Sequence, residues 1–306
     1  MSALPRVGAI DIGTNSVLLL VAERGEDGVT RAVRERATIT RLGEGVDRSG
    51  EIAPDARERT LACLRGYAEE LAELGVTVVG AVGTSAMRDA RGGAAFADAA
   101  AEVLGVRPRV IPGDEEARLT FAGSLSGLAC DGPVAVFDVG GGSTEIVVGE
   151  AGIPRSTISL DIGSVRLSER HVRSDPPSAD ELAAIRVDVD RALASVEKLP
   201  MGVTLVGVAG TVTTLAAFAL DLHPYDGARV HGATLDVRVI HDASARLAAM
   251  TLAERRRARS IDPKRADVIV AGAALVERVI AWASVGAIVV SDRGVRWGLA
   301  LDLLRA

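Results

Sequence analysis

Two stretches of this chain share one pattern of apolar and polar positions: an apolar run, a polar turn, a second apolar run. Residues 7–22, VGAIDIGTNSVLLLVA, and residues 134–149, VAVFDVGGGSTEIVVG, each read as strand, turn, strand, because their flanks are short and β-branched. Asp138 lies 127 residues after Asp11, and that offset also carries Gly13 onto Gly140 and Ser16 onto Ser143. A second pair repeats on it: VGAVGTSAMR from Val79 and VGVAGTVTTL from Val206, with Gly83 on Gly210 and Thr84 on Thr211. Two separate glycine-bearing segments on one offset predict an internal duplication.

Between them the spacing changes to that of helices. Leu61, Leu64, Leu71 and Leu74 recur at helical intervals between charges and predict a helix from Pro54 to Leu74. Asp114 to Leu125 reads as a helix whose acids sit in the first turn, where the dipole favours them. Ser178-Ala-Asp-Glu181 is a capping box and opens a helix expected to reach Leu199. A helix over Ala266–Ala283, a strand over Val285–Val290 and a last helix from Val295 complete the pattern. Mixed strands and helices in two similar halves predict an α/β class with an inter-domain cleft. Domain I is expected over 1–124 and domain II over 125–306, with the hinge near Gly123–Gly132 and the helix at 295–306 packing back on domain I.

Composition narrows the class. The chain has 306 residues, 48% hydrophobic but only 3% aromatic, so its cores must be aliphatic. That hydrophobicity with a net charge of −6 excludes disorder and argues against a nucleic-acid surface. No apolar run approaches the ~20 residues of a membrane span, no signal peptide precedes Asp11, and a cytoplasmic protein is expected. Cys63 and Cys130 form no C-x-x-C pair and read as buried, inert thiols.

The candidate chemistry sits in the turns. Asp138-Val-Gly-Gly-Gly-Ser-Thr-Glu145 places three glycines between strands, which a close backbone approach or an anion nest explains better than an ordinary glycine hairpin turn. Gly140, Gly141, Gly142 and Ser143 are the candidate phosphate nest. Asp138 and Glu145 bracket it, and carboxylates beside a phosphate imply Mg²⁺ or another divalent cation between them. Thr14, Asn15 and Ser16 form the matching turn of the first half, with Asp11 placed to hold the metal or its water. Gly210, Thr211 and Thr213 open a helix after a strand and suit phosphate or simple N-capping. Arg88 is spaced to fork onto a phosphate. Asp114, Glu115 and Glu116 offer a proton acceptor for a water nucleophile at any helix orientation, although dipole-favoured surface acids explain them as well. His231 reads as a satisfied structural group. The run from Arg255 to Arg259 reads as a solvated helix face or an electrostatic guide, and Arg293 and Arg296 as arginines able to reach the cleft.

Together these segments resemble the exopolyphosphatase / guanosine pentaphosphate phosphatase (Ppx/GppA) family in its short two-domain form. GAIDIGTNSVLLLVAE, VGTSAMRDA, VIPGDEEARL, VFDVGGGSTEIVVG, LDIGSVRLSE, AGTVTTLAA, RVHGATL, RADVIVAGA and SDRGVRWGL carry the resemblance in order from residue 8 to about 300. It implies two duplicated actin-like domains (acetate kinase/Hsp70/actin superfamily, ribonuclease H-like) and a Mg²⁺-dependent exophosphatase site. It places the catalytic glutamate on Glu116 and the metal- and water-positioning carboxylates on Asp138 and Glu145. It implies polyphosphate or guanosine pentaphosphate as substrate, a homodimer, and no nucleic-acid or membrane partner. Trp297 departs from the family's acid and is expected to alter the packing of the last helix. The alternatives are an actin-like ATPase or kinase, a non-catalytic alarmone or nucleotide sensor, and, least favoured, a filament subunit.

Overall fold

The computed structural model describes residues 6–305. The first five residues and Ala306, where the last predicted helix ends, lie outside the described residues.

The chain divides into two units. Unit 1 runs to Gly123 and resumes at Val295; unit 2 is Ser124–Gly294. Unit 1 opens with β1 (Arg6–Ile12), β2 (Ser16–Arg24) and β3 (Thr30–Ile39). There follow α1 (Val46–Ser49), α2 (Pro54–Glu73), β4 (Val78–Gly83), α3 (Ser85–Asp89), α4 (Gly93–Leu104), β5 (Arg109–Val110) and α5 (Gly113–Ser124). Its sheet has the order β3-β2-β1-β4-β5, with β1–β2 and β2–β3 antiparallel and β1–β4–β5 parallel.

Unit 2 repeats this plan. It contains β6 (Pro133–Val139), β7 (Thr144–Glu150), β8 (Ile153–Leu160), α6 (Ser164–His171), α7 (Ala179–Leu193), β9 (Thr204–Val208) and α8 (Ala209–Ala219). It continues through α9 (Gly227–Val230), β10 (Thr234–Asp236), α10 (Val237–Ala249), α11 (Leu252–Arg257), α12 (Ile269–Ala283) and β11 (Ala287–Val290). Its sheet order, β8-β7-β6-β9-β11, matches that of unit 1 strand for strand, and β10 adds an antiparallel edge. Two mixed sheets of one order are the duplicated α/β arrangement that the repeat predicts.

Strands covered on both faces need apolar residues throughout, and β1 shows it. Val7 and Ala9 enter one apolar cluster, while Ile10 and Ile12 enter another with Leu64 and Phe96 from α2 and α4. The first cluster is closed by α13 (Val295–Leu303), whose Val295, Trp297, Leu299 and Ala300 pack beside Leu20 and Val82. Trp297 is 2% exposed, so the family's acid is replaced here by a core side chain. Gly298 rests against the backbone of Leu119, where a Cβ would meet the carbonyl.

Several boundaries differ from the pattern. α7 stops at Leu193 rather than Leu199: the Val196 N–H turns back to the Leu193 carbonyl at 3.0 Å, and Val196 and Leu199 pack against the same core from beyond the helix. α12 starts at Ile269, three residues after Ala266. The Ser178–Glu181 capping box is present. Cys63 and Cys130 form no disulfide and are half-buried rather than buried, and burial raises the Cys130 thiol above its usual value. Arg255 corrects the solvated-face reading: it is 3% exposed and its guanidinium donates to the carbonyls of Ala266, Leu247 and Met250. Burial lowers its pKa.

Candidate active site

In unit 2 the β6–β7 register sets Asp138 opposite Glu145 and Val139 opposite Thr144. The turn between them closes with Gly140 N–H donating to the Ser143 carbonyl at 3.1 Å. Directly opposite residues of an antiparallel pair project from the same face, with Cβ atoms about 5 Å apart. The two carboxylates are therefore neighbours, and both are buried, at 8% and 1% exposure. Ser159 Oγ donates to Glu145 Oε1 at 2.7 Å. Like charges directly opposite in a half-dry site repel, so the pair suits a cation. No group of three or more His, Cys, Asp and Glu side chains fit to hold a metal occurs among the described residues. Two carboxylates, leaving the other positions to water and phosphate oxygens, are the donor set that suits Mg²⁺.

β9 runs beside β6 with Val208 opposite Asp138, so α8 begins next to the carboxylate pair. The cap of α8 is Val208, with no side-chain hydrogen bond. The N-capping reading of the threonines is thereby corrected: Thr211 and Thr213 are buried inside the first turns, at 6% and 7% exposure. Ala209 takes a positive φ of 69°, which swings the chain sharply from strand into helix. Over Gly210 lies the Arg265 guanidinium, so close that a Cβ at Gly210 would overlap it. Desolvation lowers the Arg265 pKa against the pull of Asp262 and Tyr225. A cation at a helix N-terminus opposes the helix dipole, and a bound anion would satisfy both. The sequence reading gave Arg265 no role. Its signal was the RADVIVAGA segment, but only the fold brings that segment onto α8.

Unit 1 carries the matching turn. Gly13 N–H donates to the Ser16 carbonyl at 3.0 Å. Asp11 is 8% exposed and stands opposite Leu18, not a carboxylate. Thr14 Oγ1 and Ser85 Oγ share a buried hydrogen bond of 2.7 Å, tying the turn to α3. Asn15 is 7% exposed, and its Oδ1 is buried with no hydrogen-bond partner in the protein.

Of the acidic trio, the structure separates one. Asp114 is exposed, Glu115 pairs with Arg109 at 2.8 Å, and Glu116 is 7% exposed. Arg88 Nη1 donates to Glu116 Oε2 at 3.2 Å and to the Ile111 carbonyl at 3.1 Å. Its Nε lies 3.5 Å from Asp89. The guanidinium therefore orients Glu116. Arg293 and Arg296 are engaged inside their own units: Arg293 donates to Ser126, and Arg296 pairs with Glu35 at 2.6 Å. His231 Nδ1 meets Ser291 Oγ and the Asp292 N–H at 3.3 and 3.4 Å.

Residues 20–306 match the model of the Ppx/GppA phosphatase family. The chain belongs to that family. It is 40% identical to "Exopolyphosphatase 2" of Mycobacterium tuberculosis, over 98% of this chain and 99% of that protein. The crystal structure of the Aquifex aeolicus Ppx/GppA family member matches with a TM-score of 0.83 at 35% identity, covering 99% of this chain and 98% of that one. "Guanosine-5'-triphosphate,3'-diphosphate pyrophosphatase" of Photobacterium profundum is 31% identical over 71% of this chain and 44% of its own length.

Proposed function

We propose that this phosphoanhydride hydrolase is an exopolyphosphatase, releasing orthophosphate from the end of inorganic polyphosphate. The observation that carries the reading is the buried Asp138–Glu145 pair set across a three-glycine turn. Such a turn suits phosphate oxygens, and such a pair suits the cation that accompanies them. Mg²⁺ held by Asp138 and Glu145 would neutralise charge on the transferring phosphoryl group. Asp11, facing Leu18, is assigned to a water rather than to the ion.

The chain's own groups do the rest. Glu116, held by Arg88, accepts the proton of the attacking water. N–H groups of Gly141, Gly142 and Ser143 donate to phosphate oxygens, as do the turn Thr14-Asn15-Ser16 and the α8 segment Gly210, Thr211 and Thr213. Donors fixed before the reaction stabilise developing charge without reorganising. Arg265 adds a cation at α8. Guanosine pentaphosphate is the second reading, favoured by the name of the Photobacterium relative. A cytoplasmic homodimer belongs to the same proposal. No helix among the described residues is long and apolar enough to cross a membrane.

The test is phosphate release with Mg²⁺ from short polyphosphate, long polyphosphate, guanosine pentaphosphate and ATP. Release from polyphosphate is expected, and release from guanosine pentaphosphate alone selects the second reading; Glu116→Gln should lower kcat about 100- to 10,000-fold with KM little changed. Hydrolysis of ATP alone makes the protein an ATPase, and binding without release makes it a sensor.

A further inference from the structure

The glycine turn of unit 2 is gripped from behind. Ser164 N–H and Oγ donate to the Gly140 carbonyl at 2.9 and 3.2 Å. Val165 and Arg166 N–H both donate to the Gly141 carbonyl, at 2.9 and 3.1 Å. Arg166 Nε donates to the Gly142 carbonyl at 2.8 Å. Three consecutive carbonyls are therefore held by the first turn of α6.

A trans peptide is planar, with C=O and the next N–H pointing opposite ways. Fixing the carbonyls of Gly140, Gly141 and Gly142 fixes the N–H groups of Gly141, Gly142 and Ser143 on the side away from α6. Glycine peptides have no side chain to hold them and would otherwise flip readily. The closeness of the grip excludes a side chain at Gly163, where a Cβ would lie 2.5 Å from the Gly141 carbonyl carbon and 2.7 Å from the Gly142 nitrogen.

We propose that Arg166 is a positioning residue of the phosphate nest, orienting the Ser143 N–H through the Gly142 carbonyl. The first two carbonyls are held by α6 main chain and the Ser164 hydroxyl; Arg166 Nε holds the third. The proposal rests on the phosphatase reading for its kinetic consequence but not for its geometric one, and the experiment separates them.

The variants are Arg166→Met, which removes the donor, and Arg166→Lys, which keeps the charge and loses the Nε–H. The probes are the backbone amide resonance and hydrogen exchange of Ser143, titration with inorganic phosphate, and kcat and KM on short polyphosphate. Both variants are expected to shift the Ser143 amide, speed its exchange, and weaken phosphate binding about tenfold or more. The Gly141 amide, held through Ser164, stays in place. In an active enzyme kcat falls with them. If wild type binds phosphate but hydrolyses nothing, the phosphatase reading fails while the amide and binding results still decide the role of Arg166. An Arg166→Lys variant that binds phosphate like wild type overturns the proposal, since charge alone would then suffice. An unmoved Ser143 amide in Arg166→Met overturns it as well.

Discussion

The two hairpins that the duplication sets in register differ at one decisive place. In unit 2 the first strand's aspartate, Asp138, faces Glu145; in unit 1 its counterpart Asp11 faces Leu18. Leu18 lies 127 residues before Glu145, so these are the same position of the repeat. One copy has kept a buried pair of like charges, which destabilises a sheet unless a cation sits with it. The other has an aliphatic side chain there and a hydroxyl pair, Thr14–Ser85, holding its turn. The backbone device is shared while the charge device is not. Under the proposed function, the ion is assigned to the unit 2 hairpin alone.

Exchanging the residues at this position breaks the comparison most severely. Glu145→Leu gives unit 2 the unit 1 pairing. Phosphate release is expected to fall at least about 100-fold, the scale of losing one preorganised electrostatic element. In chelator its Tm is expected to rise, because the repulsion with Asp138 is gone and the exposed Ser159 can turn to water. Wild type should gain Tm on adding Mg²⁺ and the variant should not. A variant that still gains Tm with Mg²⁺ would place the ion elsewhere. Leu18→Glu in unit 1 is the reciprocal change and should lower Tm without restoring activity to Glu145→Leu.

The backing of the two turns sharpens the comparison at smaller cost. In unit 1, Thr40 and Arg41 N–H hold the Asn15 carbonyl at 3.1 and 3.0 Å, and Gly43 N–H holds Thr14 at 2.9 Å. In unit 2 the α6 start does this work. The Gly43 N–H corresponds to that of Val165, which holds the Gly141 carbonyl, and the two lie 122 residues apart rather than 127, because the outer hairpin of unit 2 is shorter. A Cβ at Gly163 meets backbone that has nowhere to go, whereas one at Gly43 meets the Thr14 and Ala86 side chains. Gly163→Ala is expected to cost about 1–3 kcal/mol, the scale of overpacking, and Gly43→Ala less. Urea denaturation of both variants measures the order, and equal losses would mean that both turns yield alike.

This shift of register explains what the sequence could and could not reveal. The hairpins and the strand-to-helix turns share one offset, so the duplication and the glycine turns were legible from glycine spacing. The segments behind the two turns were not, since the shorter hairpin moves them to an offset of 122, at which Gly43 meets Val165 and Gly163 meets Arg41. Arg265 and Arg166 escaped for a related reason. Each acts on a turn far from it in sequence, Arg265 over Gly210 and Arg166 on Gly142, and no periodicity encodes such a contact. Glu116 was ambiguous among three acids because only packing decides which side of α5 is dry. Arg255 read as a solvated face, and Arg293 and Arg296 as arginines able to reach a cleft, because a sequence does not show carbonyls or carboxylates waiting to receive them.

The smallest expected effect lies in those outer hairpins. Unit 2 turns tightly through Ala151 and Gly152, both at positive φ, 51° and 76°, as a two-residue hairpin requires. Unit 1 uses the longer loop Gly25–Val29, braced by Asp27. Its carboxylate takes both Arg31 guanidinium bonds, at 2.9 and 2.5 Å, and the Val29 N–H at 3.1 Å. The Arg31 bonds first, and the Val29 N–H second, lower its pKa from 3.8 to about 2. The folded value lies below the unfolded one, so the brace stabilises above about pH 4 and is lost as pH falls toward 2. Solvent exposure and salt keep the effect small. Asp27→Asn should therefore be slightly less stable than wild type at pH 6, and the difference should shrink as pH falls toward 2 and in high salt. No difference at pH 6 would mean that the loop is held by its backbone alone, as in unit 2.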